Sequence, residues 1–211
     1  MWSTRSNAPA GALGSRATAA AASLALAAAL ATGGCTAAYV TDSTASVFLI
    51  VASVNGGAAL DSDVREAPSV VVDDTVQVAV ANRPKNPNFG NLPQVAMAVV
   101  LERYEVSYYR SDGRGVEGVD VPYRISGNFN LTIDVANAGT VDVPVRVVRA
   151  QAKLEPPLIN LWGESPGELG GSAFIVTTFA RITLHGRTVA GQAVEASGTL
   201  QINFADFPDE G

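Results

Sequence analysis

Apolar and polar residues alternate, position by position, through most of this chain after residue 45. In "NFNLTIDVA" Phe129, Leu131, Ile133 and Val135 fall on one side, and Asn128, Asn130, Thr132 and Asp134 on the other. In "TVDVPVRVV" Val141, Val143, Val145 and Val147 alternate with Asp142, Pro144, Arg146 and Val148. In "AVEASGTLQINF" Val194, Ala196, Leu200, Ile202 and Phe204 oppose Glu195, Ser197, Thr199, Gln201 and Asn203. Successive side chains of a strand point to opposite faces, so this pattern belongs to half-buried antiparallel strands. Many of the apolar positions are β-branched, which suits a pleated surface.

The pattern predicts strands near 45–54, 70–81, 95–110, 118–125, 128–136, 141–152, 172–186 and 192–204. Turn-rich stretches separate them: Asn55-Gly56-Gly57, Pro84 to Pro93, Asp112-Gly113, Asn137-Ala138-Gly139 and Ala190-Gly191. The last joins two long runs and predicts a tight hairpin. Pro144 marks an edge strand, because proline cannot donate to a ladder. Helical character is confined to a short turn near Leu158–Trp162. The expected fold is all-β, a single antiparallel β-sandwich of about eight strands. Its core should contain Phe129, Leu131, Ile133, Val143, Val145, Val147, Ile182, Leu184, Leu200 and Ile202.

The amino terminus is different. Arg5 and Arg16 precede a run of almost pure Ala and Leu over residues 17–31. A basic segment, an apolar segment of about 7–15 residues and small residues at the exit make a secretory signal peptide. A membrane-spanning helix needs roughly 20 apolar residues, more than this run provides. Ala29-Leu30-Ala31 offers cleavage after Ala31. Gly33-Gly34-Cys35-Thr36 offers cleavage before Cys35. The second resembles the lipobox of bacterial lipoproteins, although Thr32 stands where that family usually has leucine. The resemblance covers about the first 36 residues. It implies that Cys35, the only cysteine, is the lipid attachment site and the first mature residue. A lone thiol in an exported chain cannot form an internal disulfide. The expected organisation is residues 1–34 as signal peptide, 35–44 as lipidated cysteine and tether, and 45–211 as sandwich. The expected location is the bacterial cell envelope, in the outer membrane where the host has one.

Removal of Arg5 and Arg16 takes Lys and Arg from 14 to 12 against 20 acids, so the net charge moves from −6 to −8. Nucleic acid is excluded as a partner on this ground, since binding it needs a basic face. About 175 mature residues bury enough surface for one domain without disulfides.

"YEVSYYRSDGRG", Tyr104 to Gly115, and the closing "ITLHGRTVAGQAVEASGTLQINF" resemble strands of immunoglobulin-like and fibronectin-type modules. The resemblance is one of pattern, with no Cys…Trp…Cys framework. It implies a scaffold for adhesion, spacing or binding and no chemistry of its own.

"GESPG", Gly163 to Gly167, matches the G-x-S-x-G nucleophile elbow of serine hydrolases. The elbow draws an oxyanion-hole donor from the residue after the serine. Here that residue is Pro166, which has no N–H. His185 is the only histidine and is placed on a strand facing solvent, so neither a His-pair metal site nor a Cys–His pair is available. No catalytic residue and no cofactor is assigned, and the protein is expected not to be an enzyme. No metal set is assigned either. Asp61, Asp63, Glu66, Asp73 and Asp74 are the candidates for calcium, which takes loop oxygens, and solvated loop acids are the alternative. Tyr109 and Trp162 are the candidates for a sugar-binding platform. The expectation is a non-catalytic envelope lipoprotein acting in adhesion, assembly or binding, held to the membrane through Cys35. The alternative is a carbohydrate-binding module, with or without calcium.

Overall fold

Strands form where the sequence alternates. The computed structural model describes residues 45–66, 70–86, 88, 94–135, 139–162 and 174–207. Within them β1 spans Val47–Val54, β2 Leu60–Asp63, β3 Asp74–Pro84 and β4 Val99–Tyr109. β5 spans Ile125–Ile133, β6 Val141–Val148, β7 Val176–Thr188 and β8 Ala193–Ala205. One short helix, α1, covers Ala150–Lys153, and a 3-10 turn follows at Leu158–Leu161.

The strands make two sheets, of order β1-β3-β6 and β2-β8-β7-β4-β5. All pairings are antiparallel except β2 with β8, which is parallel. The fold is therefore an all-β sandwich with one parallel pair rather than a purely antiparallel one. Lettering β1, β3, β6 as A, B, E and β4, β7, β8 as C, F, G gives the neighbour order of immunoglobulin-like sandwiches. β6 is an edge strand, as Pro144 predicts, and Pro144 lies opposite Gln77 of β3.

The inner faces supply one core, including Val76, Val78 and Val80 of β3, Val143, Val145 and Val147 of β6, and Ile182, Leu184, Ile202 and Phe204 from the larger sheet. Burying each such side chain contributes roughly 1.5–3 kcal/mol. At Gly198 of β8 the two sheets pack closely. A Cβ there would meet Val51 and Val54 of β1 at 2.7 and 2.8 Å. Eight of the ten expected core residues are buried, and Phe129 and Leu131 are only half-buried. Both lie on β5, which among the described residues is paired on one side only, with β4.

Three strand expectations are corrected. Of the strand expected over 118–125, only Ile125 is in a strand, as the first residue of β5. The Val116 carbonyl accepts from the N–H groups of Val119, Asp120 and Val121, and the Asp120 carboxylate accepts from the Val116 N–H. These local bonds replace a ladder, and Gly118 completes the turn at φ +75°. The strand expected to reach 152 stops at Val148. The Asp73 carboxylate accepts from the Ala150 N–H at 2.7 Å and turns the chain into α1. β2 was not expected, because "LDSD" has no alternation and reads as an acidic loop. Its ladder is set by β8, where Leu60 pairs with Ile202 and Asp63 with Ala205. The predicted hairpin is present. Gly191, at φ +83°, donates to Thr188 and lets β7 turn into β8.

Candidate functional site

The charged groups with fewest water contacts gather at one end of the sandwich, where β3 begins and β2, β6 and β8 end. Lys153, on α1, is fully buried. Its Nζ lies 3.1 Å from Oδ2 and 3.3 Å from Oδ1 of Asp74, at the start of β3. The same carboxylate accepts the buried Ser62 hydroxyl of β2 at 2.6 Å. Asp74 thus ties β2 to α1. Beside them Arg65 donates to Asp206 at 2.8 Å, with side chains 10% and 4% exposed. The Arg65 guanidinium also sits 5.6 Å from the Trp162 ring centre. Asp63 accepts the Arg65 and Phe207 backbone N–H groups at 3.0 and 3.3 Å. Buried charges persist only when paired and hydrogen-bonded. This cluster meets that condition and clasps the crossing segments β2, α1 and the chain after β8.

Tyr108 joins the two sheets at the same end. Its hydroxyl donates to the Val147 carbonyl at 2.5 Å. Burial pushes the phenol well above its ordinary value of 10.0; the positive charge of Arg149 opposes this without cancelling it. Desolvation penalises the phenolate, so the group stays a neutral donor.

The outer face of the larger sheet is polar and cross-linked between strands. Asn203 donates to Asp61 at 2.8 Å and accepts from Thr177 at 3.0 Å. Thr183 and Ser197 lie 3.3 Å apart. His185 is on the outer face of β7 with Nδ1 3.3 Å from Glu195, but it is not the solvent-facing histidine expected: its side chain is only 21% exposed, and its Nε2 is buried without a hydrogen-bond partner. Tyr109 stacks on Phe179 at 5.5 Å between centroids, and the Arg181 guanidinium lies 5.9 Å from the Tyr109 ring centre.

The opposite end is closed differently. Buried Asn82 of β3 donates to the Met97 and Ile133 carbonyls, both at 2.9 Å. It joins the smaller sheet to β5 and to the approach of β4. β1 starts at this end, with Val47 opposite Pro84.

The sequence-predicted residues are therefore dispersed. Asp61 holds Asn203, Asp63 holds backbone N–H groups, Asp73 lies 3.0 Å from Arg146 as well as holding α1, and Asp74 holds Lys153. Glu66 is exposed. Among the described residues no group of three or more His, Cys, Asp and Glu is arranged to hold a metal. Tyr109 and Trp162 belong to separate neighbourhoods, Tyr109 with Phe179 and Arg181, Trp162 with Arg65 and the core. Cys35, and Ser165 with the rest of "GESPG", lie outside the described residues. Sequence reasoning missed Lys153, Arg65 and Asp206, because a charged residue reads as solvated until its partner is placed beside it.

No protein-family model, no curated protein and no solved structure matches this chain. Fold and geometry define its class, an all-β sandwich built from two sheets and clasped at one end by buried ion pairs. Among the described residues no helix is long and apolar enough to cross a membrane.

Proposed function

We propose that this chain is an exported, lipid-anchored envelope protein whose sandwich acts in adhesion, assembly or binding and not in catalysis. One observation carries the reading. The only cysteine, Cys35, stands just after the Ala/Leu run, with Thr32, Gly33 and Gly34 between them, and precedes the first strand, which begins at Val47. The anchor and the fold then make no competing demand on the same residues. Two or more acyl chains at one cysteine anchor a protein stably, whereas one gives marginal binding.

The non-catalytic part rests on the chemistry of the available side chains. A serine nucleophile needs a base within about 2.6–3.2 Å. The single histidine is held beside Glu195 on the outer face of β7. The proline after Ser165 removes the donor that the elbow would supply.

Fractionation of cells expressing the full chain tests the anchor. The protein is expected in the membrane fraction, and Cys35→Ser is expected to move it to the soluble exported fraction. Mass spectrometry of the mature amino terminus should find Cys35 acylated. An unmodified, reduced Cys35 there would overturn the reading.

A further inference from the structure

We propose that the outer face of β1, with the adjoining outer face of β3, rests on the surface of the bilayer in which Cys35 is anchored. The inference deepens the lipid-anchor reading and rests on it. A sheet face turned to water carries polar side chains. The larger sheet obeys, with Thr177 and Asn203, and Thr183 and Ser197, in contact along it. The smaller sheet does not. Val47 and Leu49 of β1 and Val76, Val78 and Val80 of β3 fill the core. Phe48, Ile50, Ala79 and Ala81 therefore have the outward parity. The register makes them neighbours, since Ile50 pairs with Ala81 and Ser53 with Ala79. Ala52 is exposed beside them, in the bulge between Val51 and Ser53. Phe48 is 53% and Ile50 41% exposed. Single apolar side chains at a surface need no explanation, whereas a contiguous set marks a contact.

The bilayer as occupant follows first from chain length. Val47 stands 12 residues after Cys35, and at 3.6 Å per residue that segment spans at most about 43 Å. The 13-residue β7 alone is about 44 Å long at 3.4 Å per residue. The anchor therefore holds β1, the strand it leads into, within about one strand length of the lipid. A short tether gives a high effective concentration, so a patch with little affinity of its own is enough.

Charge is the second argument. Arg83 pairs with Phe48 in the ladder, and the Lys85 Nζ lies 5.1 Å from the Phe48 ring centre. Asp142 is the acid on this face, opposite Ala79, and the Arg146 beyond it is paired with Asp73. In a chain of 20 acids against 14 Lys and Arg, cations border the apolar patch. Anionic headgroups attract such cations. A lysine stem covers apolar surface while its ammonium reaches the headgroup level.

The full acylated chain on vesicles of phosphatidylcholine and phosphatidylglycerol tests the inference. With Cys35 acylated, Ala52→Cys supplies the one reactive thiol for an environment-sensitive fluorophore. The emission is expected to shift to the blue and to be quenched by lipids carrying doxyl groups on their chains. The same label at Thr199→Cys, exposed on the outer face of the larger sheet, should stay aqueous. Phe48→Ser with Ile50→Ser should abolish the Ala52 shift while the chain stays on the vesicles. Lys85→Glu, or vesicles without phosphatidylglycerol, should reduce it, and these arms hold if the double serine variant fails to fold. An Ala52 label as aqueous as the Thr199 label on a vesicle-bound chain would overturn this inference alone. So would a shift that grows with protein density and resists the doxyl lipids, because a second copy would then cover the face. A chain absent from the vesicles, with the label on Cys35, would overturn the anchor and this inference with it.

Discussion

The Tyr108 hydroxyl of β4 donates to the Val147 carbonyl of β6 across the two sheets, at 2.5 Å and out of reach of solvent. Two strands that share no ladder are joined by one directional contact. A buried hydrogen bond contributes about 0.5–1.5 kcal/mol net, and a stranded acceptor costs about 1–3 kcal/mol. Tyr108→Phe is therefore expected to lower stability by about 1–3 kcal/mol, read from urea unfolding monitored by circular dichroism.

The same tyrosine makes that loss depend on pH. Its folded-state pKa is raised above the ordinary value of 10.0. Below that pH both folded and unfolded states hold the proton, and the contribution is complete. Above it the unfolded chain releases the proton first, so the unfolded state gains and stability falls. The stability gap between the native chain and Tyr108→Phe should stay constant to about pH 10 and narrow as pH rises further. A gap that widened in that range would contradict the burial of a neutral phenol.

Lys153 and Asp74 should behave as a unit. Removing one partner of a buried ion pair typically costs about 3–5 kcal/mol, because the other charge is left uncompensated. Lys153→Met and Asp74→Asn should each be strongly destabilising. The double variant should be less destabilised than the sum of the two, as a double-mutant cycle on unfolding free energies would reveal.

Core truncations should separate by edge position. Leu184 is fully buried, and Leu184→Ala is expected to cost about 2–5 kcal/mol. Leu131 is half-buried at the rim of β5, and Leu131→Ala should cost clearly less. Equal losses in thermal unfolding would show that the rim is packed like the interior.

Gly186 on β7 approaches β4 closely. A Cβ there would stand 2.5 Å from the Val100 carbonyl oxygen and 3.1 Å from a Val99 methyl. Backbone cannot step aside as a flexible side chain can, and overpacking costs about 1–3 kcal/mol. Gly186→Ala should lower the denaturation midpoint accordingly. The more solvent-exposed Gly139→Ala, with nothing within 4 Å of its added carbon, should change little.

Alternation in the sequence determined that this is an all-β chain, and it determined which face of β6, β7 and β8 turns inward. Val143, Val145, Ile182, Leu184 and Ile202 are buried as their parity requires. Pro144 marked an edge and Ala190-Gly191 a hairpin, since both signals act within a few residues. Only the tertiary structure decided which strands are neighbours. β2 follows β8 in parallel because a segment 142 residues away supplies its ladder and the Asn203 amide that holds Asp61. Lys153 is buried because Asp74, 79 residues away, arrives to neutralise it. Phe129 and Leu131 carry the same alternating signal as the core, yet stay half-exposed because β5, among the described residues, is paired on one side only. A local pattern records the polarity of each face of a strand. The neighbour that covers the face or answers the charge comes from chain far away, and so only the folded protein reveals it.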